Sequence, residues 1–130
     1  MEQIRGLGVR LIISMYLLKP EKSLGEPPLK LLWMPVFDSP LIPIPLSVFR
    51  VGVGAALPVI EAGNKVLVHC RWGIHRSVAM ACCILIGKGH SSNEAVALVK
   101  RQRVVADPEA SHILRRIKMF EQEQPGRHKA

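Results

Sequence analysis

Short apolar runs alternate with longer amphipathic segments along the chain, and this pattern predicts strands interleaved with helices. Val9 to Met15 is rich in β-branched and aliphatic residues, and Leu29 to Val36 has a similar apolar character, so both are predicted strands. Lys65 to His69 is a short, unbroken apolar run, typical of a parallel strand covered on both faces. Prolines in the segments 20–28 and 37–45 exclude helix and central strand, which indicates irregular loops there.

Helical periodicity appears first from Leu46 to Ala62, where Pro58 and two glycines predict a kinked or divided helix. The pair Gly63-Asn64 is a typical helix terminator and is predicted to end this segment. Ser77 to Gly87 is apolar throughout, so it is predicted to form a helix buried in the core.

Two amphipathic helices are predicted to close the chain. Ser91 and Glu94 have the spacing of a capping box, and Asp107-Pro108 has the pattern of an N-cap followed by the first helical residue. The alternation predicts an α/β fold in which a small, mainly parallel sheet is flanked by helices. At 130 residues we expect a single domain over residues 1–122, followed by a flexible basic tail over 123–130.

The composition narrows the choice of partners. A formal net charge of +8 favours anionic ligands, which include phosphorylated proteins, nucleic acid and acidic membrane surfaces, and the charge alone does not choose among them. Aromatic residues at 5% are too sparse for a surface that stacks the bases of single-stranded nucleic acid. The odd set Cys70, Cys82 and Cys83 is a poor disulfide framework, which favours free thiols in a reducing cytoplasm. Arg10 interrupts the N-terminal apolar run, and no segment is long enough to cross a membrane.

The chemistry concentrates in "KVLVHCRWGIHRSVAM", residues 65–80, where a predicted strand meets a predicted helix. Ligands of parallel sheets bind at such junctions, because backbone amides and the helix N-terminus together attract anions. Cys70 ends the strand, so we expect it to be a thiolate nucleophile facing a phosphate or another oxyanion. The loop residues predicted to bind that phosphate are Arg71, Trp72, Gly73, Ile74, His75 and Arg76.

Two further side chains fit phosphoryl chemistry. Arg76 can hold two phosphoryl oxygens in a bidentate contact, which a lysine cannot reproduce. Asp38 follows the second predicted strand, so it is placed to give a proton to a leaving oxygen, and Phe37 and Pro40 are expected to raise its pKa.

Each of these residues also has a structural interpretation. A cysteine that ends a buried strand is ordinarily a small core residue, and Asp38 could cap a turn before Ser39-Pro40. Zinc is disfavoured because the histidines and cysteines lack paired ligand spacing, so no metal site is predicted. The residues considered for zinc are His69, Cys70, His75, Cys82 and Cys83.

The run His69-Cys70, five intervening residues and Arg76-Ser77 resembles the signature of cysteine-based protein phosphatases. The compact size and the upstream Asp38 make the chain most similar to the dual-specificity branch. This resemblance implies a reaction through a phosphocysteine intermediate, which requires neither a metal nor another cofactor. It implies that Cys70 attacks phosphorus, that Asp38 protonates the leaving group, that Ser77 hydrogen-bonds the sulfur, and that His69 supports the loop from behind.

The resemblance therefore implies a phosphatase acting on phosphotyrosine, and also on phosphoserine and phosphothreonine, in a phosphorylated protein substrate. Members of this family usually carry additional strands before the position where this chain starts. We therefore expect one sheet edge that is open to a partner chain, including a second copy in a homodimer. Trp72, Ile74 and His75 stand where smaller residues are common, which leaves the substrate preference open.

Three other functions remain open at this point. The same chemistry could act on a non-protein ester, such as an RNA 5′ end or a phosphoinositide, or the chain could bind phosphorylated residues without catalysis. A sulfur transferase or arsenate reductase also uses a loop cysteine at a strand end. Asp107-Pro108 resembles the acid of the low-molecular-weight phosphatases, which makes Asp107 an alternative to Asp38 as the proton donor.

Overall fold

The computed structural model describes residues 8–70, 74–102 and 106–124, which form three strands and four α-helices. A short 3-10 helix at Lys22–Gly25 precedes the second strand. The elements are β1 (Val9–Ser14), β2 (Lys30–Trp33), α1 (Leu46–Glu61), β3 (Lys65–His69), α2 (Arg76–Gly87), α3 (Ser92–Gln102) and α4 (Ser111–Glu123). The predicted α/β fold is confirmed.

The three described strands form one parallel sheet in the order β2-β1-β3. Ile12 of the central strand pairs with Leu31 of β2 and Leu67 of β3. Parallel neighbours need a crossover between them, and α1 supplies the one that leads into β3. The carboxyl ends of all three strands therefore lie at the same edge of the sheet, where the loops after β2 and β3 meet.

β3 differs from the strand predicted by the sequence. Lys65, Leu67 and His69 are exposed, whereas Val66 and Val68 are half-buried against the helical layer. The prediction of a strand covered on both faces was wrong, because β3 is an edge strand of the described sheet and its helices pack on one face. An outer edge at β3 fits the expected unpaired strand. Pairing of that edge with a second copy stays a prediction.

The core lies between the sheet and the four helices. α2 is buried along most of its length because its side chains are apolar on nearly every side. Phe49 of α1 and Phe120 of α4 meet edge to face, with ring centres 6.2 Å apart. A Cβ atom on Gly87 would lie 2.7 Å from Cγ1 of Val53, so the contact between α1 and α2 depends on glycine at that position.

The helix boundaries follow the sequence signals in part. α1 is one continuous helix through Pro58. Of the two predicted forms, kinked or divided, the divided one is excluded, and the kink stays a prediction. Gly63 with φ of 86° follows the end of the helix as predicted. The capping box that begins α3 is confirmed. The Ser91 amide donates to Oε1 of Glu94 at 2.8 Å, and the Glu94 amide donates to Oγ of Ser91 at 3.1 Å.

The last helix begins later than its capping pattern indicated. α4 starts at Ser111 with Ala110 as its N-cap, so the prediction of Asp107 as N-cap was wrong. The backbone amide of Asp107 instead donates to the carbonyl of Ile74 at 2.9 Å, which holds this segment against the start of α2. The Asp107 carboxylate, which was expected to cap the helix, lies 3.5 Å from Nε2 of His75 instead.

α4 continues through Glu123, whose carboxylate accepts a hydrogen bond of 3.0 Å from Nη1 of Arg50 on α1. Residues 125–130 of the predicted tail lie outside the described residues. Within the described ranges, every helix is too short or too polar to span a lipid bilayer.

Candidate active site

Cys70 and Ser77 meet at the junction of β3 and α2. Cys70 directly follows the strand and is 5% exposed, and Ser77 is the second residue of the helix. The Cys70 Sγ and the Ser77 Oγ lie 3.1 Å apart, which is a hydrogen-bonding distance for sulfur. The contact expected from the resemblance is present, and its role in catalysis stays a prediction.

Arg76 begins α2 and keeps a guanidinium group inside the protein. Its side chain is 7% exposed, and Nη1 donates to the carbonyl of Val36 at 3.2 Å. The guanidinium carbon also lies 5.7 Å from the centre of the Tyr16 ring. Nε of Arg76 is buried and has no hydrogen-bond acceptor among the described residues. Because an unsatisfied buried donor is costly, this atom is suited to an anionic ligand.

The predicted phosphate-binding loop is described only in part. Arg71, Trp72 and Gly73 lie outside the described residues, so the predicted ring of inward amides stays a prediction. Ile74 and His75 are described and form the entry into α2, where the His75 carbonyl accepts a hydrogen bond of 2.8 Å from the Ala79 amide.

Asp38 lies between two histidines from distant parts of the chain. Its Oδ2 is 2.8 Å from Nδ1 of His75, and its Oδ1 is 2.9 Å from Nε2 of His112. The turn after Asp38 is closed by Ser39, whose Oγ accepts a hydrogen bond from the Leu41 amide at 3.1 Å. The turn-capping interpretation of Asp38 is therefore unnecessary, because Ser39 fills that role.

The electrostatic environment of Asp38 is opposite to the expected one. Partial burial raises its pKa, but hydrogen bonds from His112 and His75 and the positive charge of these imidazoles outweigh burial, so the pKa is lowered. The predicted rise was wrong because Phe37 and Pro40 face solvent instead of covering the carboxyl group. At neutral pH Asp38 is therefore ionised and accepts both of these hydrogen bonds.

The other candidates have different surroundings. His69 is exposed and lines a cavity of about 400 Å³ on the open face of the sheet, together with Ile12 and Leu67. Its predicted support of the loop involves residues outside the described ranges. Cys82 and Cys83 are free thiols without exposed surface. Burial raises the pKa of Cys82 to about 12, and burial also raises the pKa of Cys83.

Comparisons with known proteins identify the family and the fold of this chain. Residues 4–123 match the family model described as dual specificity phosphatase, catalytic domain. The chain belongs to the dual-specificity phosphatase family. Human DUSP28 has a similar structure, with a TM-score of 0.82 and 28% sequence identity over 93% of this chain and 82% of DUSP28.

Two further proteins are similar to this member of the dual-specificity phosphatase family. The structure of PTPMT1 in complex with PI(5)P matches 94% of this chain and 82% of the PTPMT1 chain, with a TM-score of 0.75. Because the sequence identity is 23%, this likeness shows the fold alone. "Putative tyrosine phosphatase 123R" of Invertebrate iridescent virus 6 is 44% identical over 55 residues. These residues are 42% of this chain and 39% of the viral protein, so the match spans less than half of that relative.

The sequence of this family member did not indicate that the side chains of His75 and His112 contact Asp38. His75 was predicted to bind phosphate and was considered as a zinc ligand together with cysteines, but not as a partner of Asp38, and His112 had no motif of its own. Its only signal is a histidine in the first turn of an amphipathic helix, which is common on protein surfaces. His112 lies 74 positions from Asp38, so local patterns could not bring the two together.

Proposed function

We propose that this chain is a metal-independent protein phosphatase that hydrolyses phosphotyrosine, and also phosphoserine and phosphothreonine, through a phosphocysteine intermediate. The observation that carries the proposal is the Cys70 sulfur 3.1 Å from the Ser77 hydroxyl at the end of a parallel strand. Arg76 is the residue before Ser77, and its buried Nε, which has no acceptor within the described part of the chain, supports an anion at the same junction.

In the first step the Cys70 thiolate attacks phosphorus, and an S–P bond forms as the bond to the leaving oxygen breaks. Arg76 stabilises the negative charge on the phosphoryl oxygens, because its planar group matches two of them at once. Asp38 passes a proton from its cluster with the imidazoles to the leaving oxygen, which departs as a neutral hydroxyl group.

In the second step water attacks the phosphocysteine. Asp38 accepts a proton from the water, the S–P bond breaks, and inorganic phosphate forms. The sulfur departs as a thiolate, and the Ser77 hydroxyl stabilises it by donating a hydrogen bond. The protein then returns to its starting state, so the reaction consumes only water and needs no external redox partner.

The substrate class rests on charge and on the loop composition. The net charge of +8 favours acidic, phosphorylated surfaces, and the loop 71–75 lacks the lysines expected for highly phosphorylated inositol lipids. We propose a shallow pocket, which would accept several phosphorylated residues. PTPMT1, which shares the fold, was solved with PI(5)P, and that lipid is therefore the comparison substrate.

The test measures hydrolysis of p-nitrophenyl phosphate and of phosphotyrosine, phosphoserine and phosphothreonine peptides in the presence of EDTA. We expect turnover on the peptides, loss of turnover in Cys70→Ser, and a ³²P label on Cys70 when turnover of labelled substrate is stopped rapidly with SDS. Arg76→Lys should retain charge and lose most of the rate. A folded protein that turns over none of these esters, or that acts faster on PI(5)P or RNA 5′ phosphate, would contradict the proposal.

A further inference from the structure

We propose that Asp38, His75 and His112 form a binding site for a divalent transition-metal ion of the zinc type, and that an ion bound there inhibits the phosphatase. The three side chains each offer one ligand atom, and these atoms all lie within 4.8 Å of one another. Two imidazole nitrogens and one carboxylate oxygen are the ligands that Zn²⁺ prefers in sites with an open fourth position.

The geometry needs only a small adjustment to hold the ion. Ligands about 2.0–2.2 Å from a tetrahedral Zn²⁺ lie about 3.3 Å apart. The carboxylate oxygens of Asp38 are 2.8 Å and 2.9 Å from the facing nitrogens of His75 and His112. These two contacts use different oxygens of Asp38, and each would widen by a few tenths of an ångström as the ion replaces the shared proton. The remaining separations between ligand atoms are at most 4.8 Å and would shorten toward the tetrahedral value. The side chains are 19% to 29% exposed, so solvent reaches the cluster.

A second observation supports the same site. Nε2 of His75, the ring nitrogen that does not face Asp38, lies 3.5 Å from Oδ2 of Asp107. Metal-binding histidines usually donate their other N–H to a carboxylate, which fixes the ring and makes the ligand nitrogen more basic. The Asp107 backbone is held at this position by its hydrogen bond to Ile74. Asp107 therefore has the place of an outer partner that orients His75.

Metal binding would change the state of the catalytic acid. His75 and His112 would carry their protons on the nitrogens that point away from Asp38, and the carboxylate would coordinate the ion instead of accepting hydrogen bonds from the imidazoles. Asp38 could then no longer protonate a leaving oxygen. This inhibitory consequence rests on the proposed function, whereas the binding itself does not.

The binding experiment uses the full, tag-free chain carrying Cys70→Ser, which removes the reactive thiol as an alternative zinc ligand. Calorimetric titration with Zn²⁺ should give one ion per chain, and Co²⁺ should give the intense visible absorption of a four-coordinate site. His112→Gln in the same background should weaken Zn²⁺ binding at least tenfold. Glutamine keeps an N–H donor toward Asp38 but is a poor zinc ligand, so a purely structural role of His112 would leave the titration unchanged.

His90→Gln is the matched control, because His90 lies beyond the far end of α2, about 18 Å along that helix from His75. His90→Gln should bind Zn²⁺ as tightly as the parent Cys70→Ser chain. Both histidine variants should have the same thermal unfolding midpoint as that parent. Absence of binding in Cys70→Ser, or equal binding in His112→Gln, would overturn the metal site. The inhibition experiment uses chains that keep Cys70. Zn²⁺ should inhibit the turnover of His112→Gln less than that of the unsubstituted protein. If the protein shows no turnover but still binds Zn²⁺ through His112, the proposed phosphatase activity is refuted and the proposed metal site is retained.

Discussion

The sulfur of Cys70 lies 3.1 Å from the hydroxyl oxygen of Ser77, and both side chains are buried at the point where β3 ends and α2 begins. A hydroxyl group at this distance stabilises a thiolate more than a neutral or phosphorylated sulfur, because hydrogen bonds to charged groups are stronger than those between neutral ones. Its largest effect is therefore expected when the sulfur departs as an anion.

Ser77→Ala should slow the hydrolysis of the phosphocysteine more than its formation. Loss of a hydrogen bond to a charged group costs about 1.5–3 kcal/mol, which corresponds to roughly 10- to 100-fold in rate. Rapid-quench measurement should show a burst of product and an accumulated phosphoenzyme. Ser77→Thr retains the hydroxyl group and serves as the control. Equal slowing of both steps would speak against this role of Ser77.

Asp38→Ala and Asp107→Ala should separate the two candidate acids. Loss of a general acid lowers the rate by about 10²- to 10⁴-fold, and most strongly for leaving groups of high pKa. Asp38→Ala should therefore slow a phosphotyrosine peptide far more than p-nitrophenyl phosphate, whose leaving group needs no proton. Asp107→Ala should keep the leaving-group dependence of the parent.

The reverse result, a steeper leaving-group dependence in Asp107→Ala alone, would transfer the acid role to Asp107. His75 contacts both carboxylates, so the two variants also need matched thermal unfolding curves. A difference in folding would then be visible separately from a difference in chemistry.

Cys82 and Cys83 should resist alkylation in the folded protein. The pKa of Cys82 is raised to about 12, so at pH 9 about one thiol in 10³ is ionised, whereas an unfolded thiol is about half ionised. Iodoacetamide at pH 9 should leave the tryptic peptide 77–88 unmodified in native protein and label it twice in urea. The free energy of unfolding should fall as the pH rises above 9, because only the unfolded thiols then ionise readily. Rapid native labelling of this peptide would contradict their burial.

Gly87→Ala should destabilise the fold, because its Cβ would lie 2.7 Å from Cγ1 of Val53. Overpacking of this kind costs about 1–3 kcal/mol. Gly54→Ala is the matched control, since an added Cβ there meets nothing within 4 Å, and it should stabilise the helix by about 0.5–1 kcal/mol. Urea titration of both variants measures the two effects. A gain in stability in Gly87→Ala would refute the close packing of α1 on α2.

Local patterns explain which parts of the fold could be predicted. β1 and β3 were located from their apolar runs, and the capping box of Ser91 and Glu94 located the start of α3. β2 is shorter than predicted, ending at Trp33, because apolar character alone does not show where pairing with β1 stops. The start of α4 was misplaced because the Asp107 carboxylate faces His75, from a distant part of the chain, and the helix begins only at Ser111.

The sequence by itself determined the order of strands and helices and the strand–loop–helix segment with Cys70, Arg76 and Ser77, since these depend on residues within a dozen positions of one another. Only the tertiary structure decided the surroundings of Asp38, which lies 37 positions from His75 and 74 from His112. Contacts over such separations depend on how α2 and α4 pack beside the loop after β2. They leave no periodic signal, and they reversed the expected direction of the Asp38 pKa shift.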